Sequence, residues 1–527
     1  MPDRDGHMIV GMTRRQFTSL AALGAASAQT KEAAIDIADR RELFVDRHLV
    51  ERLAGGTALR LHAPQPRETV LVHDAPWEGP GSGYHSIFED AGRYRMFYKA
   101  YHMDVSTGKL RADAHGGHCC YAESEDGIHW RKPELGLVEF RGSKANNIVL
   151  ASGPRGALNL DAAHPAVFLD TNPAAGREAR YKAFIRSADR KAHGLIAMGS
   201  ADGFGWTALR EAPVITDGAF DSQNLGFWDG ARGQYRAYWR SFTEGVTTGE
   251  TWKPSGLRAI RTAVSDDFVT WREARDLRYV DSPAEQLYTN QVKPYARAPH
   301  LLIGFPTRYT ERPWSPSLRA LPEEEHRRQR STASMRYGTA ITEALLMASR
   351  DGVLFHRWNE GFLRPGIERP GTWNYGHQYI GWHLVETRSA LAGAPNELSL
   401  YASESYWTGN SSEVRRYTLR LDGFVSASAG AGGGELITRP LRFSGGRLRL
   451  NFATSAVGLV QVELQKPDGS PLPGFAAADC DEVFGDTVDR AVSWRGSEDV
   501  SKLAGTPVRV RFVLRDADLY AYRFAKF

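Results

Sequence analysis

The chain has 527 residues, enough for two or three domains of ordinary size. Its 66 basic and 62 acidic residues are interspersed and leave a formal charge of +4, so no basic nucleic-acid-binding stripe and no charged tail are indicated. Aromatic residues make up 11%, and 52 Gly and 26 Pro supply turn residues. This mixture is typical of many short strands, so we predict an all-β fold that does not bind nucleic acid.

Residues 1–30 have the pattern of an export signal. Thr13-Arg14-Arg15-Gln16-Phe17 is a twin-arginine signature, an apolar stretch runs from Leu20 to Ala26, and Ala25-Ala26-Ser27-Ala28 suits a cleavage site. The alternative is an accidental arginine pair ahead of a core helix. No later segment approaches about 20 uninterrupted apolar residues. We therefore expect export by the twin-arginine route to the periplasm or the extracellular space, without a membrane span afterwards.

An internal repeat indicates the architecture. Each copy follows two strand-like segments and carries an Asp, in most copies followed by Gly, with a Trp a few residues later in four of the copies. The aspartates are Asp126, Asp202, Asp267, Asp351 and, in a weaker copy, Asp422. Such an Asp caps backbone N–H groups, Gly tolerates positive φ, and the Trp packs between sheets. The period suits a four-stranded blade, so five copies predict a five-bladed β-propeller.

The remaining segments complete the predicted domain organisation. Residues 31–425 form the propeller with a lead-in strand segment, and residues 312–336 form a rim insertion with helical character. The Ser, Ala and Gly residues at 426–434 predict a flexible linker. Alternating apolar residues separated by turns over 435–527 predict a C-terminal β-sandwich.

Ligands of a propeller bind at the mouth of the central channel, on the face opposite the Asp-centred turns. The first strands of the blades begin at this mouth and the second strands end there. The starts supply Glu78, His85, Asp161, His164, Asp221, Gln223, Asn224, Asn290 and His377. The ends supply Lys99, Arg186, Arg240, Arg308 and Glu404, with Trp407 just beyond. We expect these side chains to bind a carbohydrate.

Hydrolysis of a glycosidic bond requires two carboxylates, one acid and one base or nucleophile. Asp221 lies among amides before an inner strand, and Glu404 lies among aromatic residues that favour a raised pKa. We predict these two as the catalytic pair, with Glu78 in reserve. The alternative roles are a strand cap for Asp221 and a salt bridge between blades for Glu404.

Four cationic side chains at the strand ends give a mouth that favours a carboxylate or sulfate on the substrate: Lys99, Arg186, Arg240 and Arg308. The alternative is that they pair with neighbouring carboxylates. His85, His118, His164, His377 and His383 show no metal-ligand spacing, and Cys119, Cys120 and Cys480 cannot form a disulfide framework. We expect no obligatory transition metal or other cofactor, although a calcium ion in the channel is compatible with these residues.

The chain resembles the five-bladed propeller glycosidases of families 32 and 43. The resemblance rests on the repeats at Asp126, Asp202, Asp267 and Asp351, and on Leu43-Phe-Val-Asp46 and Phe220-Asp-Ser-Gln-Asn224, which resemble exported invertase-like bacterial proteins. It implies a propeller with an appended sandwich and activity on carbohydrates. The Asn-Asp-Pro-Asn, Arg-Asp-Pro and Glu-Cys motifs of family 32 are absent, so the resemblance assigns no catalytic residue.

Three functions are therefore compatible with the sequence. The first is a secreted glycoside hydrolase that uses Asp221 and Glu404. The second is a non-catalytic glycan-binding propeller, in which aromatic residues such as Tyr406 and Trp407 provide the affinity. The third is a polysaccharide lyase or sialidase-like enzyme that uses its arginines on an anionic glycan.

Overall fold

The structure is a computed structural model that describes residues 33–104, 107, 111, 115–249 and 251–527. The export signal predicted at 1–30 lies outside these residues. The fold is all-β as predicted, and α-helix in the described chain is confined to three short segments. None of the described helices is both long and apolar enough to cross a membrane.

The N-terminal strands join parts of the fold that lie far away in the sequence. They are β1 (Ile35–Ala38), β2 (Glu42–Leu43), β3 (Val50–Ala54), β4 (Ala58–Leu61) and β5 (Gln65–Val72). The first four pair with strands near the C-terminus, and β5 pairs with a strand of the last blade.

Five radial sheets follow, which confirms the predicted five-bladed propeller. Blade one contains β6 (Gly83–Asp90), β7 (Arg93–Ala100), β8 (His118–Ser124), β9 (Trp130–Arg131) and β10 (Ile148–Ala151). Blade two contains β11 (Gly153–Arg155), β12 (Leu158–Leu169), β13 (Tyr181–Ser187), β14 (Leu195–Ser200) and β15 (Thr207–Ala208). Blade three contains β16 (Leu225–Asp229), β17 (Gln234–Thr247), β18 (Trp252–Ser265) and β19 (Trp271–Asp276).

Blade four carries the rim insertion. Its segments are β20 (Arg278–Val280), β21 (Lys293–Tyr295), β22 (Ala298–Gly304), β23 (Thr307–Thr310), α1 (Pro316–Ala320), α2 (Glu324–Ala333), α3 (Met335–Thr339), β24 (Ile341–Ala344), β25 (Met347–Ser349) and β26 (Leu354–Arg357). The helices confirm the helical character predicted for the insertion. Buried Arg327 donates from Nη2 to the carbonyl of Trp373 at 2.7 Å, and buried Arg330 donates to Oδ1 of Asn374 at 2.8 Å. These bonds fix the helices against the loop that leads into blade five.

The predicted turn chemistry occurs in the first four repeats. In blade one, the Ser124 hydroxyl accepts the N–H of Gly127 at 2.9 Å. Oδ1 of Asp126 accepts the N–H groups of Ile128 and His129, both at 2.8 Å. Gly127 has φ +74°, and Phe268 occupies the same turn position in blade three at φ +67°. The local hydrogen bonds therefore hold the turn even where glycine is absent.

The fifth repeat does not form a hairpin, which corrects the prediction at Asp422. Blade five contains β27 (Val385–Thr387), β28 (Glu397–Glu404) and β29 (Glu413–Arg420), and its fourth strand is the N-terminal β5. Asp422 is instead fully buried at the exit from the blade, where it pairs with Arg41 at 3.1 Å and Arg297 at 2.8 Å and accepts the Tyr295 hydroxyl at 2.8 Å. The N-terminal β5 therefore closes the last blade and covers the edge that β29 would otherwise expose.

The C-terminal segments are β30 (Val425–Ala429), β31 (Gly434–Thr438), β32 (Leu441–Phe443), β33 (Arg447–Gln465), β34 (Asp486–Ala491) and β35 (Arg509–Ala525). With β2, β3 and β4 they form one eight-stranded sheet, apart from β32, which pairs with β1. The predicted sandwich boundary at 435 thus lies too late, and the lead-in strands assigned to the propeller belong largely to this sheet. The predicted flexible linker at 426–434 is wrong at its start, because Ser426 and Ala427 lie in a buried strand between β4 and β35.

The propeller axis is bridged by amide side chains at the depth of the inner strands. Nε2 of Gln223 donates to the carbonyls of Tyr84 and Pro165 at 2.9 and 3.2 Å, and its Oε1 accepts Nε2 of Gln291 at 2.8 Å. Gln291 also donates to the carbonyl of Ile380 at 2.8 Å. These bonds join all five blades across the axis, so a ligand at the mouth would lie above them.

Candidate functional site

Buried tyrosines pack together at the predicted mouth. Six of them form one buried cluster with Ala340, and we call these six the tyrosine cluster: Tyr84, Tyr288, Tyr309, Tyr375, Tyr379 and Tyr406. The Tyr379 ring is nearly parallel to those of Tyr288 and Tyr84, with centroids 5.6 and 6.3 Å away. Blades one, four and five thus each contribute aromatic surface to the same place.

Blade three places a half-exposed carboxylate beside this cluster. Asn224 donates to the carbonyls of Phe220 and Ser222 at 3.1 and 2.7 Å, which shapes the loop that carries Asp221. The Asp221 side chain is 51% exposed and pairs with Arg240, which is only 4% exposed. The Arg240 guanidinium lies 4.6 Å from the ring centre of Tyr288. Burial opposes ionisation of Asp221, but the charges of Arg240, His164 and Arg186 hold its pKa below the ordinary value.

Blade two contributes a second carboxylate. A bulge in β12 between Asp161 and Ala166 turns this segment towards its partners. Oδ2 of Asp161 accepts Nδ1 of His164 and Nη1 of Arg186, both at 3.0 Å. Burial opposes ionisation, but these two neighbours lower the pKa of Asp161. Burial also lowers the pKa of His164, against the opposing charge of Asp161.

Blade one adds a buried lysine. Lys99, at the end of β7, is 5% exposed, and its Nζ lies 5.1, 4.5 and 5.8 Å from the ring centres of Tyr84, Tyr101 and Tyr406. Nζ donates to the Tyr406 hydroxyl at 3.4 Å. Desolvation lowers the pKa of Lys99 to about 8, and only the charges of Asp161 and Asp221 act against it. The mouth therefore brings together one lysine, two carboxylates, two arginines and the tyrosine cluster.

Glu404 lies outside this open part of the mouth, which corrects its expected environment. Its side chain is fully buried and accepts bonds from Arg369 at 2.5 Å, Arg415 at 3.0 Å and the Tyr417 hydroxyl at 3.0 Å. Burial would raise its pKa, but the hydrogen bond from Arg369 and the neighbouring positive charges lower it. Glu404 therefore forms salt bridges within blade five and to the loop that leads into it, whereas the alternative weighed from the sequence was a salt bridge between blades.

Glu78 is also buried and occupied. It accepts the Tyr98 hydroxyl at 2.5 Å, Nζ of Lys132 at 2.6 Å and the N–H of Ala75 at 2.9 Å. These contacts tie the entry of blade one to its outer strands and leave no exposed carboxylate for catalysis.

Several other predicted binding residues are buried and already hydrogen-bonded. Gln223 belongs to the amide bridge across the axis, and Asn224 shapes the Asp221 loop. Oδ1 of Asn290 accepts the N–H of Val292 at 3.4 Å within its own turn. Arg308 pairs with Glu343 at 2.7 Å and with Glu285 at 3.1 Å.

Two predicted histidines are buried as well. His85 faces His73 at 3.2 Å between their Nε2 atoms, and burial lowers its pKa to about 3. Nδ1 of His377 accepts the N–H of Trp373 at 2.9 Å, and burial lowers its pKa to about 3. Both rings are therefore neutral parts of the core rather than exposed binding groups.

Trp407 lies at the edge of the tyrosine cluster and is only partly buried. Its ring makes edge contacts with Tyr337 and Tyr375 at centroid distances of 4.7 and 4.9 Å. Tyr337 comes from α3, so the rim insertion contributes to this side of the mouth. Among the described residues, no group of three or more His, Cys, Asp or Glu side chains is arranged to hold a metal ion.

Sequence reasoning missed most of the tyrosine cluster. Three of its members lie close to predicted residues at the strand starts: Tyr84 is next to His85, Tyr288 is two positions before Asn290, and Tyr379 is two positions after His377. A count of aromatic residues at these starts would have indicated the wall.

Comparisons with known proteins complete the description. No family profile matches the sequence, and no curated protein matches it. Among solved structures it is similar to BT0996 in its RGII complex, with 14% identity over 68% of this chain and 92% of that one and a TM-score of 0.40. It is also similar to an N-acetylgalactosamine deacetylase from F. plautii in complex with blood group B trisaccharide. That match has 12% identity, covers 71% of this chain and 96% of that one, and has a TM-score of 0.40.

A glycosyl hydrolase from Bacteroides ovatus matches with 14% identity over 71% of this chain and 97% of that one, at a TM-score of 0.33. Similarities this low carry no argument about activity. The strand order described above establishes that the chain is a five-bladed β-propeller joined to a sheet built from both ends of the chain.

Proposed function

We propose that this protein is a glycan-acting enzyme, specifically a glycoside hydrolase, whose active site is the tyrosine-walled mouth. The observation that carries the proposal is Asp221, a half-exposed and ionised carboxylate beside the tyrosine cluster. Aromatic faces suit the apolar C–H faces of sugar rings, and a concave site with a few polar groups is the usual form of a small-ligand site. Asp221 would act as the base or nucleophile.

The proton donor in this proposal is the pair of Asp161 and His164. Nδ1–H of His164 donates to Asp161, so an imidazolium formed on proton uptake would be stabilised by the adjacent carboxylate. Because burial lowers the pKa of His164, the protonated form becomes more populated as the pH falls. We therefore expect activity to increase on the acidic side of neutrality, down to the pH at which Asp221 becomes protonated.

The test is the variant Asp221→Asn, assayed with a panel of glycans and aryl glycosides for release of reducing ends. We expect kcat to fall by about 10²–10⁴-fold. Because Asp221 is the partner of buried Arg240, the unfolding midpoint will fall as well, so activity is compared at a temperature at which the variant is fully folded. Asp266→Asn is the matched control, since Asp266 lies in an exposed turn of the same blade and its side chain is 77% exposed. Turnover that survives in Asp221→Asn at the wild-type rate would contradict the assignment.

A lyase is the second candidate, and Lys99 is the observation that favours it. A buried lysine with a pKa of about 8, next to a tyrosine hydroxyl, suits removal of the proton beside a sugar carboxylate. An unsaturated product that absorbs in the ultraviolet would identify this reaction. A non-catalytic glycan-binding propeller would instead bind glycans without any product, and its affinity would depend on Tyr379 and Trp407 but not on Asp221.

Export by the twin-arginine route is part of the same proposal. It is supported by Arg14-Arg15 and the apolar segment that follows. Replacement of both arginines by lysine should retain the protein in the cytoplasm, and fractionation of cells that express the two forms measures the difference.

A further inference from the structure

Lys99 is a buried cation of the mouth that has no carboxylate partner among the described residues. Arg240 pairs with Asp221 and Arg186 pairs with Asp161. Lys99 makes no ion pair with any residue in the described part of the chain; its contacts are the Tyr406 hydroxyl and three ring faces. The two carboxylates that act on its charge are both already bonded to an arginine. The described side chains therefore carry excess positive charge at this place, to which Arg258 adds, because it lies over the rings of Tyr288 and Tyr309 and bonds Gln286 rather than a carboxylate.

Arg240 adds unused hydrogen-bond donors to the same site. Although the residue is 4% exposed, its Nε and Nη1 atoms have no hydrogen-bond partner, and only Nη2 reaches Asp221. Buried guanidinium donors without partners are costly, as is a buried ammonium without a counter-ion. A ligand that brought one negative charge to this region would offset both costs.

We propose that the mouth recognises a glycan unit that bears an anionic substituent, a carboxylate or a sulfate, and that Lys99 is the residue that selects for it. This inference rests on the proposed function in taking the ligand to be a glycan. It narrows the cationic mouth predicted from the sequence to Lys99, because the other three cations each have a carboxylate partner: Arg186, Arg240 and Arg308. The tyrosine cluster would hold the sugar ring while Lys99 meets its charge.

The inference also explains why a lysine would occupy this position. A methionine or leucine would pack against the three tyrosine rings without a desolvation cost. The ammonium is therefore expensive in the free protein, and its cost is recovered when an anion binds. A residue that is unfavourable without ligand and favourable with it produces selectivity, because a neutral sugar recovers none of that cost.

The test uses the wild-type protein with monosaccharides, which contain no glycosidic bond to hydrolyse, so that Arg240 keeps its partner Asp221. Isothermal titration calorimetry compares hexuronic acids with their methyl esters, and hexose 6-sulfates with the parent hexoses, with glucose, galactose and mannose as the parent sugars. We expect the best acidic ligand to bind at least about 10-fold more tightly than its neutral counterpart. The carboxylate and sulfate arms show which anion is preferred.

Lys99→Met should reduce the acidic-to-neutral ratio to about 2-fold or less, and Lys99→Arg should retain part of it. Lys144→Met is the matched control, because Lys144 is an exposed residue outside the mouth. Equal affinity for acidic and neutral ligands, equal loss of both in Lys99→Met, or failure of every acidic ligand to bind would each overturn the proposal. If the protein binds acidic sugars selectively but hydrolyses no glycan of the panel, anion selection by Lys99 is supported and the proposed glycoside hydrolase activity is refuted.

Discussion

Replacement of Asp422 by asparagine tests the junction between the propeller and the sheet. Asp422 is fully buried, and its carboxylate bonds Arg41 from the N-terminal segment and Arg297 from blade four. It also accepts Nδ2 of Asn451 at 3.0 Å from the C-terminal sheet. Asparagine has nearly the same volume and can keep one neutral bond, but it removes the charge that both arginines face.

The expected loss follows from the burial of the two arginines. Removal of one partner of a buried ion pair costs about 3–5 kcal/mol, because the remaining charge stays desolvated. Arg41 is 7% exposed and has a second carboxylate, Asp489, at 3.9 Å, while Arg297 is 21% exposed and has Glu386 at 3.7 Å. These weaker partners reduce the penalty, so we expect Asp422→Asn to lower the free energy of unfolding by about 3 kcal/mol.

Urea unfolding followed by tryptophan fluorescence measures this loss. Asp266→Asn, which breaks an exposed ion pair, should cost less than about 1 kcal/mol. Addition of Arg41→Met to Asp422→Asn should restore at least about 1 kcal/mol, because the stranded charge is removed. The positive neighbours lower the pKa of Asp422 against its burial, so its ionised form stabilises the fold above about pH 4 and the difference from wild type should narrow as the pH falls further. A wild-type midpoint for Asp422→Asn, or no recovery in the double variant, would refute the reasoning.

Three further variants test other parts of the structure. Lys99→Met should raise the free energy of unfolding by roughly 3 kcal/mol below pH 8, because it removes a buried ammonium. The gain should shrink as the pH rises towards about 10.4, where the lysine of the unfolded chain also loses its proton. An equal gain at all pH values, measured by urea unfolding, would contradict the lowered pKa of Lys99. Glu404→Gln should lower the free energy of unfolding by about 2 kcal/mol, because Arg369 and Arg415 lose a buried counter-charge. Its kcat should stay within about 3-fold of the wild-type value. A large loss of kcat at unchanged stability would instead indicate a catalytic role for Glu404. Deletion of residues 33–73 removes β5 and should yield aggregates on size-exclusion chromatography, since β29 becomes an exposed edge.

The sequence predicted those features that depend on neighbouring residues. In the turns at Asp126, Asp202, Asp267 and Asp351, the hydrogen bonds link residues no more than three positions apart, or five in the last of them, so the pattern is visible in a short window. Asp422 carries the same local pattern, but its partners Arg41 and Arg297 lie far away in the chain. Long-range pairing therefore decided between a hairpin and a buried junction, and a short window does not contain that information.

The candidate site was likewise predictable only in part. Strand order alone indicated that Asp161, Asp221, Arg186 and Arg240 approach one another at the mouth. It did not indicate which polar side chains would remain exposed there, because that depends on the partners that loops and neighbouring strands bring to each of them. The Glu404 carboxylate forms salt bridges with Arg369 and Arg415. The Gln223 amide is hydrogen-bonded to Gln291 and to two backbone carbonyls.

The closure of blade five by β5 also has a consequence for the order of folding. Blades one to four are each built from contiguous chain and could form while synthesis is in progress. Blade five and the C-terminal sheet must wait, because β5 pairs with β29 and β2 with β35, the last strand of the chain. The N-terminal strands would thus remain without partners until nearly all residues had been made, and such unpaired strands are prone to aggregation. We expect chaperones that bind extended segments to act on this protein chiefly at its N-terminal strands, and late completion of the ring to limit its folding rate.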